Sequence, residues 1–277
     1  PRTSPDDHLD FMLDIKNLQA EALMPHVLAA LQGDPAFEAW MPILESWNFE
    51  ERIDLVAPSL YHAIYHYLAY VIVEDDLGEE GANNYTNNWY FWQERVQHLI
   101  GQEYGEYWID DQRTIGKVEN LHDMIRRAAK LGDAKLRATS GLDPTTQKWG
   151  EIHKISFVSP LRRSGLGSRI LGGGSFAKEG SGETLNRAGY ARTANIEDGF
   201  DSAFAASARL VMDLADAEKI KAVVAGGVTA RQFNDHYDDQ IPVWADGELL
   251  TWWLSKDKIL ESVGTNLTLT SKAKEAD

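Results

Sequence analysis

The spacing of apolar residues changes near residue 141, and this change constrains the fold more than any other feature of the sequence. Before it, apolar side chains recur every three or four residues, as they do in helices that bury one face. After Gly141–Pro144, glycines become frequent and short stretches alternate apolar with polar residues, which is typical of strands. The sequence therefore predicts an α+β protein with a mainly helical segment over 1–140, a strand-rich segment over 141–264 and a mobile tail over 265–277.

Capping residues and prolines set the expected helix limits in the first segment. Ser4 precedes Pro5 and two acidic residues, which predicts a helix start at this point. Apolar residues continue at helical spacing from there, and Pro25 predicts a break inside the run. A further helical pattern over 111–140 is predicted to end at Gly132–Asp133.

The stretch 58–98 is the most aromatic part of the chain. A helix that begins near Pro58, an acidic turn over 74–81 and a second helix over 89–100 account for its pattern. We expect its rings to pack in a core or between chains rather than to line a pocket, because large rings bury much area wherever they pack.

Charge is distributed unevenly along the sequence. Residues 1–110 carry 20 acidic and 4 basic side chains and so hold the whole net charge of −16, whereas residues 111–277 carry 23 of each. We interpret the excess as a solvated acidic face, with adaptation to salt or a cationic partner as the alternatives. The net negative charge disfavours nucleic acid and anionic membrane surfaces as partners. The sequence has no cysteine, which excludes disulfides, a thiol nucleophile and thiolate metal ligands. It also has no apolar run of membrane-spanning length.

Several groups of residues resemble metal-binding or nucleotide-binding motifs but lack a residue or the spacing that those motifs require. His62 and His66 lie four apart, as zinc ligands on a helix do, but Ala63 stands where the motif His-Glu-x-x-His requires glutamate. We therefore expect surface or capping histidines. The acidic residues 74–76 lack the spacing of a calcium loop, and the glycines of 165–182 match no phosphate-binding pattern. No metal site is predicted on this chain.

An ordered series of motifs lies between Trp149 and Trp244. It comprises a strand-like stretch, a glycine-rich run, a second strand-like stretch, a glycine pair and an acidic loop, at Trp149–Phe157, Gly180–Tyr190, Ser207–Leu214, Gly226–Gly227 and His236–Gln240. This order and spacing resemble the C-terminal part of the nucleophile-bearing β chain of penicillin acylases, which are N-terminal-nucleophile hydrolases. The resemblance implies that the chain forms part of an αββα sandwich. It is weaker in the helices, where Leu44–Phe49 departs from the family's Leu-x-x-Trp-Asp-Gly in its last two residues.

The resemblance also implies where catalysis occurs. In this family a precursor cuts itself to expose an N-terminal serine, which attacks an amide while its own α-amine acts as the base. The serine, the oxyanion-hole asparagine and the calcium ligands are expected upstream of the matched region, and Pro1 carries no hydroxyl. The resemblance therefore implies no catalytic residue and no cofactor on this chain, with any calcium elsewhere in the assembled enzyme.

Arg209 and Asp213 are the candidate supporting residues on this chain. They lie four apart on a predicted strand and so point to one face. The acylases commonly carry an acidic residue at the position that matches Asp213. A salt bridge that holds sheets together is the competing interpretation. His153 and His236 lie in motifs that look architectural, so neither is favoured as a general base.

The resemblance implies a non-nucleophile subunit or fragment of an amidohydrolase that cleaves the amide of small N-acyl compounds, either β-lactam antibiotics or acyl-homoserine lactones. The expected partners are the remaining chains of the processed acylase, namely the α chain and the serine-bearing part of the β chain. The chain alone is expected to be inactive. The family's usual export implies a periplasmic or secreted location. The alternative is a non-catalytic binding or structural module with acylase-like architecture.

Overall fold

A computed structural model describes residues 3–87, 95–100, 105–158, 174–191, 199–216, 218–262, 264–265 and 267–269. In chain order it contains α1 (Pro5–Met12), α2 (Leu18–Leu31), α3 (Met41–Glu45), α4 (Ala57–Asn87), α5 (Gly105–Ile109), α6 (Leu121–Ser140), α7 (Trp149–Ile152), β1 (Lys154–Phe157), β2 (Gly174–Ala177), β3 (Ala188–Tyr190), β4 (Ser202–Ala205), β5 (Arg209–Met212), β6 (Ile220–Val223), α8 (Gln240–Ala245), β7 (Leu250–Trp252) and α9 (Lys256–Ser262). Most helices precede residue 153 and all these strands follow it. The predicted α+β class, with a helical first half and a strand-rich second half, is confirmed.

The first two helices begin at capping residues. The Ser4 hydroxyl accepts a hydrogen bond from the Asp7 backbone N–H, and the Asp7 carboxylate accepts one from the Ser4 N–H, as the sequence predicted. Asn17 caps α2 by accepting from the backbone N–H of Ala20. The break predicted at Pro25 is wrong, because α2 continues through it with a buried face on α6 and the helical run is instead interrupted over residues 13–17.

The helix α4 is the centre of the first half. Every side chain from Ala57 to Ala69 is buried, so neighbours surround this part of the helix on all sides. The turn predicted over 74–81 is confirmed in position but is shorter than expected, because two helical stretches of α4 meet at a kink at Gly78, where φ is 68°. Glu74 lies on the first of these stretches, and its carboxylate forms ion pairs with Arg127 and Arg113 at 2.5 and 3.3 Å.

The prediction that the third long helix ends at Gly132–Asp133 is also wrong. The helix α6 continues to Ser140 and ends at Gly141, which has a left-handed φ of 70°. Gly132 lies instead where α6 packs against α4, and a Cβ at this position would meet the backbone carbonyl of Ala63 at 2.8 Å. This glycine therefore allows two helices to approach closely, and it does not mark the end of a helix.

The strands form two sheets. The first is mixed, with order β2-β1-β4-β3, in which β1 is antiparallel to β2 and parallel to β4. The second is antiparallel, with order β5-β6-β7. The strand predicted over 149–157 is shorter than expected, because Trp149–Ile152 forms α7. The Glu151 carboxylate caps this turn by accepting from the backbone N–H of Lys148 at 3.0 Å.

The main cluster of buried apolar side chains joins α2, α4 and α6 to Trp149 and Phe200. Among the described residues, the strands β5, β6 and β7 contribute none to this cluster, and their sheet packs on α1 and α8. The molecule therefore has a helical core and, beside it, a small sheet with its own contacts.

Some predictions concern residues outside the described part of the chain. They include most of the tail over 265–277, the glycines before residue 174 and the aromatic residues 89–92. Within the described part, none of the helices combines the length and the apolar character needed to cross a membrane.

Candidate functional site

A cluster of polar side chains is buried where the helices meet the mixed sheet. We call it the Glu51 cluster; it comprises Asn17, Glu51, His62, Trp149 and Tyr190. The Glu51 carboxylate is fully buried. Its Oε1 accepts hydrogen bonds from Asn17 Nδ2 and from His62 Nε2, both at 2.6 Å. The cluster thus holds together the segment before α2, the segment before α4 and α4 itself.

His62 links this carboxylate to the sheet. A carboxylate only accepts hydrogen bonds, so Nε2 of His62 donates to Glu51, and Nδ1 on the other side of the ring lies 2.9 Å from the Tyr190 hydroxyl. Burial raises the pKa of Tyr190 well above its usual value, so this hydroxyl keeps its proton. The resulting chain of bonds runs from Asn17 through Glu51 and His62 to β3.

The prediction that His62 and His66 are surface or capping residues is wrong, because both are buried. The four-residue spacing indicated a shared face correctly, but it could not reveal that α4 is enclosed on all sides. The described part of the chain contains no group of three or more His, Asp or Glu side chains placed to hold a metal ion.

Trp149 stacks between two histidines. Its ring centroid lies 4.6 Å from that of His62 and 4.3 Å from that of His153, with interplanar angles of 16° and 14°. Its Nε1 donates to the carbonyl of Gly180 at 3.0 Å. The motif that begins at Trp149 therefore ties α4, β1 and the glycine-rich turn into one packed unit.

The two histidines considered as general bases have opposite environments. Burial lowers the pKa of His153 to about 3, and its Nδ1 donates to the carbonyl of Phe200 at 2.5 Å. His236 is exposed, and its contact with Asp239 at 2.8 Å raises its pKa. The His153 ring is enclosed and bonded to the backbone, and His236 lies on the surface, so neither faces a cavity with a nucleophile.

Arg209 joins α8 to the second sheet. The side chain is buried on β5, its Nη1 donates to the carbonyl of Trp244 at 2.6 Å, and its guanidinium lies 5.0 Å from the centre of the Trp244 ring. Burial lowers its pKa. The ammonium of Lys178 lies over the same ring at 5.7 Å, and burial lowers the pKa of Lys178 to about 8. Two cations thus flank one buried tryptophan.

Asp213 has different partners. It follows the end of β5, and its Oδ2 lies 3.9 Å from Lys219 Nζ. The structure does not bring Asp213 and Arg209 together, since four residues of strand span about 13 Å and each side chain contacts other groups. The sequence pattern predicted a common direction for the two side chains but carried no information on which groups each residue meets.

Asp213 lines a groove of about 580 Å³ between α1 and the second sheet. The walls combine apolar side chains, including Leu9, Val211 and Trp253, with charged ones. Lys221 Nζ on β6 lies 3.5 Å from Asp6 Oδ1 on α1, so an ion pair connects the two walls. Among the described residues no histidine lines the groove, and it offers no hydroxyl–imidazole pair for nucleophilic catalysis.

Besides the buried contact between Tyr190 and His62, a hydroxyl–imidazole contact occurs at the start of α1. Thr3 Oγ1 lies 3.1 Å from His8 Nε2, but both side chains are exposed. In the described part of the chain no third group orients this imidazole, as an activated nucleophile requires. The Glu51 cluster and the contacts of Arg209 thus connect helices to strands.

Fold and site together define an α+β protein whose buried polar residues join helices to sheets. The family model described as Penicillin amidase matches residues 1–261. The chain belongs to the penicillin amidase family.

Two curated relatives are similar to this chain. The acyl-homoserine lactone acylase QuiP of Pseudomonas putida is 26% identical over 233 residues, which cover 80% of this chain and 27% of the relative. The protein of the same name from Pseudomonas syringae pv. tomato is 27% identical over 227 residues, which cover 76% and 26%. The chain thus spans about a quarter of the length of these relatives.

Among solved structures, the thermostable penicillin G acylase from Alcaligenes faecalis superimposes with a TM-score of 0.47 and 11% identity. The match covers 95% of this chain and 48% of that one.

Proposed function

We propose that this chain is the non-nucleophile part of an acylase that hydrolyses the amide of small N-acyl compounds. The observation that carries the proposal is the family match over residues 1–261. The two relatives named as acyl-homoserine lactone acylases support an N-acyl substrate. Since the chain spans about a quarter of their length, the activity would belong to a larger protein.

In this proposal the nucleophile is an N-terminal serine on another segment. The reference pKa of an α-amine is near ~7.7 to 8.0, so a neutral fraction takes the serine proton near neutrality. Backbone and side-chain amides would stabilise the oxyanion. The role of this chain would be to support that centre. Its exposed Thr3–His8 contact has no orienting group, and its Tyr190–His62–Glu51 contacts are buried between the helices and the mixed sheet.

The partners in this proposal are the α chain and the serine-bearing part of the β chain. Any calcium would be bound by those partners, and the family's usual export would place the enzyme in the periplasm or outside the cell. Arg209 would act as a positioning residue, because it fixes α8 on β5.

The test uses the complete gene product, purified in native form and analysed by intact mass and N-terminal sequencing. A serine-directed sulfonyl fluoride is then added, and hydrolysis of penicillin G and of an N-acyl-homoserine lactone is followed in parallel. We expect amide hydrolysis and a sulfonyl adduct on an N-terminal serine outside residues 1–277. An adduct on this chain, or loss of activity without any N-terminal serine adduct, would contradict the proposed division of roles.

The same experiment decides between the acylase and a non-catalytic module. A folded protein that binds neither sulfonyl fluoride nor substrate, and that contains no chain starting with serine, would favour a binding or structural role. Comparison of the two substrates at equal concentration would then assign the β-lactam or the lactone class to an active enzyme.

A further inference from the structure

The sheet formed by β5, β6 and β7 has one face that is entirely apolar. Residues directly opposite each other in an antiparallel sheet share a face. The register pairs Met212 with Ile220 and Ile220 with Trp252, and it pairs Leu210 with Ala222 and Ala222 with Leu250. We call these six residues the apolar sheet face; they are Leu210, Met212, Ile220, Ala222, Leu250 and Trp252.

The opposite face of the same sheet has a different character. Arg209, Val211 and Val223 are buried there, and Lys221 and Thr251 complete it. The helix α1 covers this side, and the Asp6–Lys221 ion pair connects the helix to it. An antiparallel sheet with one face packed and one in water alternates apolar-in with polar-out. This sheet does not, because its uncovered face carries no polar side chain.

On the apolar sheet face, the side chains of the central strand are buried and those of the two flanking strands are partly exposed. Ile220 and Ala222 on the central strand are buried, whereas Leu210, Met212, Leu250 and Trp252 are 53%, 44%, 39% and 45% exposed. Together these four expose on the order of 400 Å² of apolar surface, which is the size of the largest patch on a typical monomer.

We infer that the apolar sheet face is the docking surface for a folded layer of the same acylase that lies outside these 277 residues. This inference rests on the proposed function. Domains bury each apolar sheet face against a second layer, about 10 Å away. The curated relatives are about four times as long as the matched region, so they contain chain from which such a layer can come.

The chemistry of the surface favours a protein layer over a membrane. The apolar sheet face contains no Lys or Arg, and the chain carries a net charge of −16, so an anionic lipid surface gains no electrostatic attraction. The two exposed strand ends of this region continue the apolar character, with Leu214 after β5 and Leu254 after β7 also exposed. A partner layer of apolar side chains would cover both the strands and these ends.

Because this sequence has no cysteine, exposure of the face can be tested in the complete protein by labelling single introduced thiols. Each of Leu210→Cys, Trp252→Cys and the control Ile115→Cys introduces one thiol into this sequence, and peptide mapping after maleimide labelling reports its rate. Ile115 is fully exposed on the loop before α6. We expect labelling at positions 210 and 252 to be at least tenfold slower in the native protein than in urea. Position 115 should label at similar rates in both. Native labelling at 210 and 252 as fast as in urea would overturn the inference.

A second measurement identifies the segment that covers the apolar sheet face. A photoreactive maleimide is attached through Leu210→Cys under partly denaturing conditions, the protein is refolded and irradiated, and cross-linked peptides are identified by mass spectrometry. We expect a peptide from outside residues 1–277. A cross-link to a peptide within residues 1–277 would overturn the inference, because a second copy or another segment of this chain would then cover the apolar sheet face.

The outcomes also separate this inference from the proposed function. A protein that shows protection and the expected cross-link but hydrolyses no amide would retain the docking surface and lose the acylase assignment. An active acylase whose thiols at 210 and 252 react freely would retain the function and lose the docking surface.

Discussion

The helical core and the β5-β6-β7 sheet differ in how completely they are buried. In the core, thirteen consecutive residues of α4 are buried, and the Glu51 cluster provides hydrogen-bond partners for polar groups within it. In the sheet, Ile220 and Ala222 on β6 are buried, while both flanking strands expose large apolar side chains on the same face. The comparison indicates that the core is complete in itself, whereas the sheet is one layer of a larger packing arrangement.

The largest effect is expected from Trp149→Ala in the core. The ring is fully buried and stacked between two histidines, and removal of such a ring typically costs about 3 to 5 kcal/mol of unfolding free energy. Urea denaturation followed by circular dichroism would measure the loss. Trp149→Phe serves as the control, since it keeps a ring and loses the bond to Gly180. A loss below about 1 kcal/mol for Trp149→Ala would contradict a self-sufficient core.

The second prediction concerns the carboxylate of the Glu51 cluster. Glu51→Ala removes the acceptor of both Asn17 Nδ2 and His62 Nε2 and leaves buried donors without a partner, so we expect a loss of about 3 kcal/mol. Glu51→Gln retains a carbonyl oxygen at this position and should lose less than half as much. Hydrogen exchange of α4 amides, analysed by mass spectrometry, would report both. Equal losses would show that the charge, and not the acceptor, stabilises the junction.

The third prediction is a pH dependence due to His153. Its pKa is about 3 in the folded state against 6.5 for the free side chain, so the unfolded state binds more protons between these values. The stabilising contribution of the neutral ring is complete above pH 6.5 and decreases as the pH falls toward 3. The expected loss between pH 7 and pH 5 is about 2 kcal/mol.

His153→Gln is the control for this pH effect. The unfolding free energy should fall by about 2 kcal/mol less between pH 7 and pH 5 in this variant than in the natural protein. The other titrating groups contribute equally to both proteins, so they cancel in this comparison. An identical pH dependence in the two proteins would rule out His153 as the source.

Local signals allowed the fold class and several element limits to be predicted. Ser4 and Pro5 mark the start of α1, because capping depends on adjacent residues. The matched motifs between Trp149 and Trp244 indicated the family. The family's Leu-x-x-Trp-Asp-Gly places glycine where this chain has Phe49, and Phe49 still adopts a φ of 68°, a conformation that glycine favours.

The Glu51 cluster could not be predicted, because its bonds join residues far apart in sequence. Glu51 is 34 residues from Asn17, and His62 is 128 residues from Tyr190. Helical periodicity gave His62 and His66 a common face but could not distinguish a solvent face from a core face on a fully enclosed helix. Gly132 was misinterpreted for a related reason, since a close helix contact and a helix end both favour glycine.

The smallest effect is expected in the sheet and tests the comparison directly. Leu60→Ala and Leu210→Ala remove the same atoms, from a fully buried position on α4 and from the half-exposed apolar sheet face. In residues 1–277 refolded alone, Leu60→Ala should cost about 2 to 5 kcal/mol and Leu210→Ala less than about 0.5 kcal/mol. In the complete protein, the cost of Leu210→Ala should rise by about 1 kcal/mol or more, because the transfer of the side chain out of water is then lost. An unchanged small cost there would mean that no layer covers the sheet. A large cost already in the isolated chain would mean that β5 is as well packed as the helical core, and the difference between the two regions would disappear.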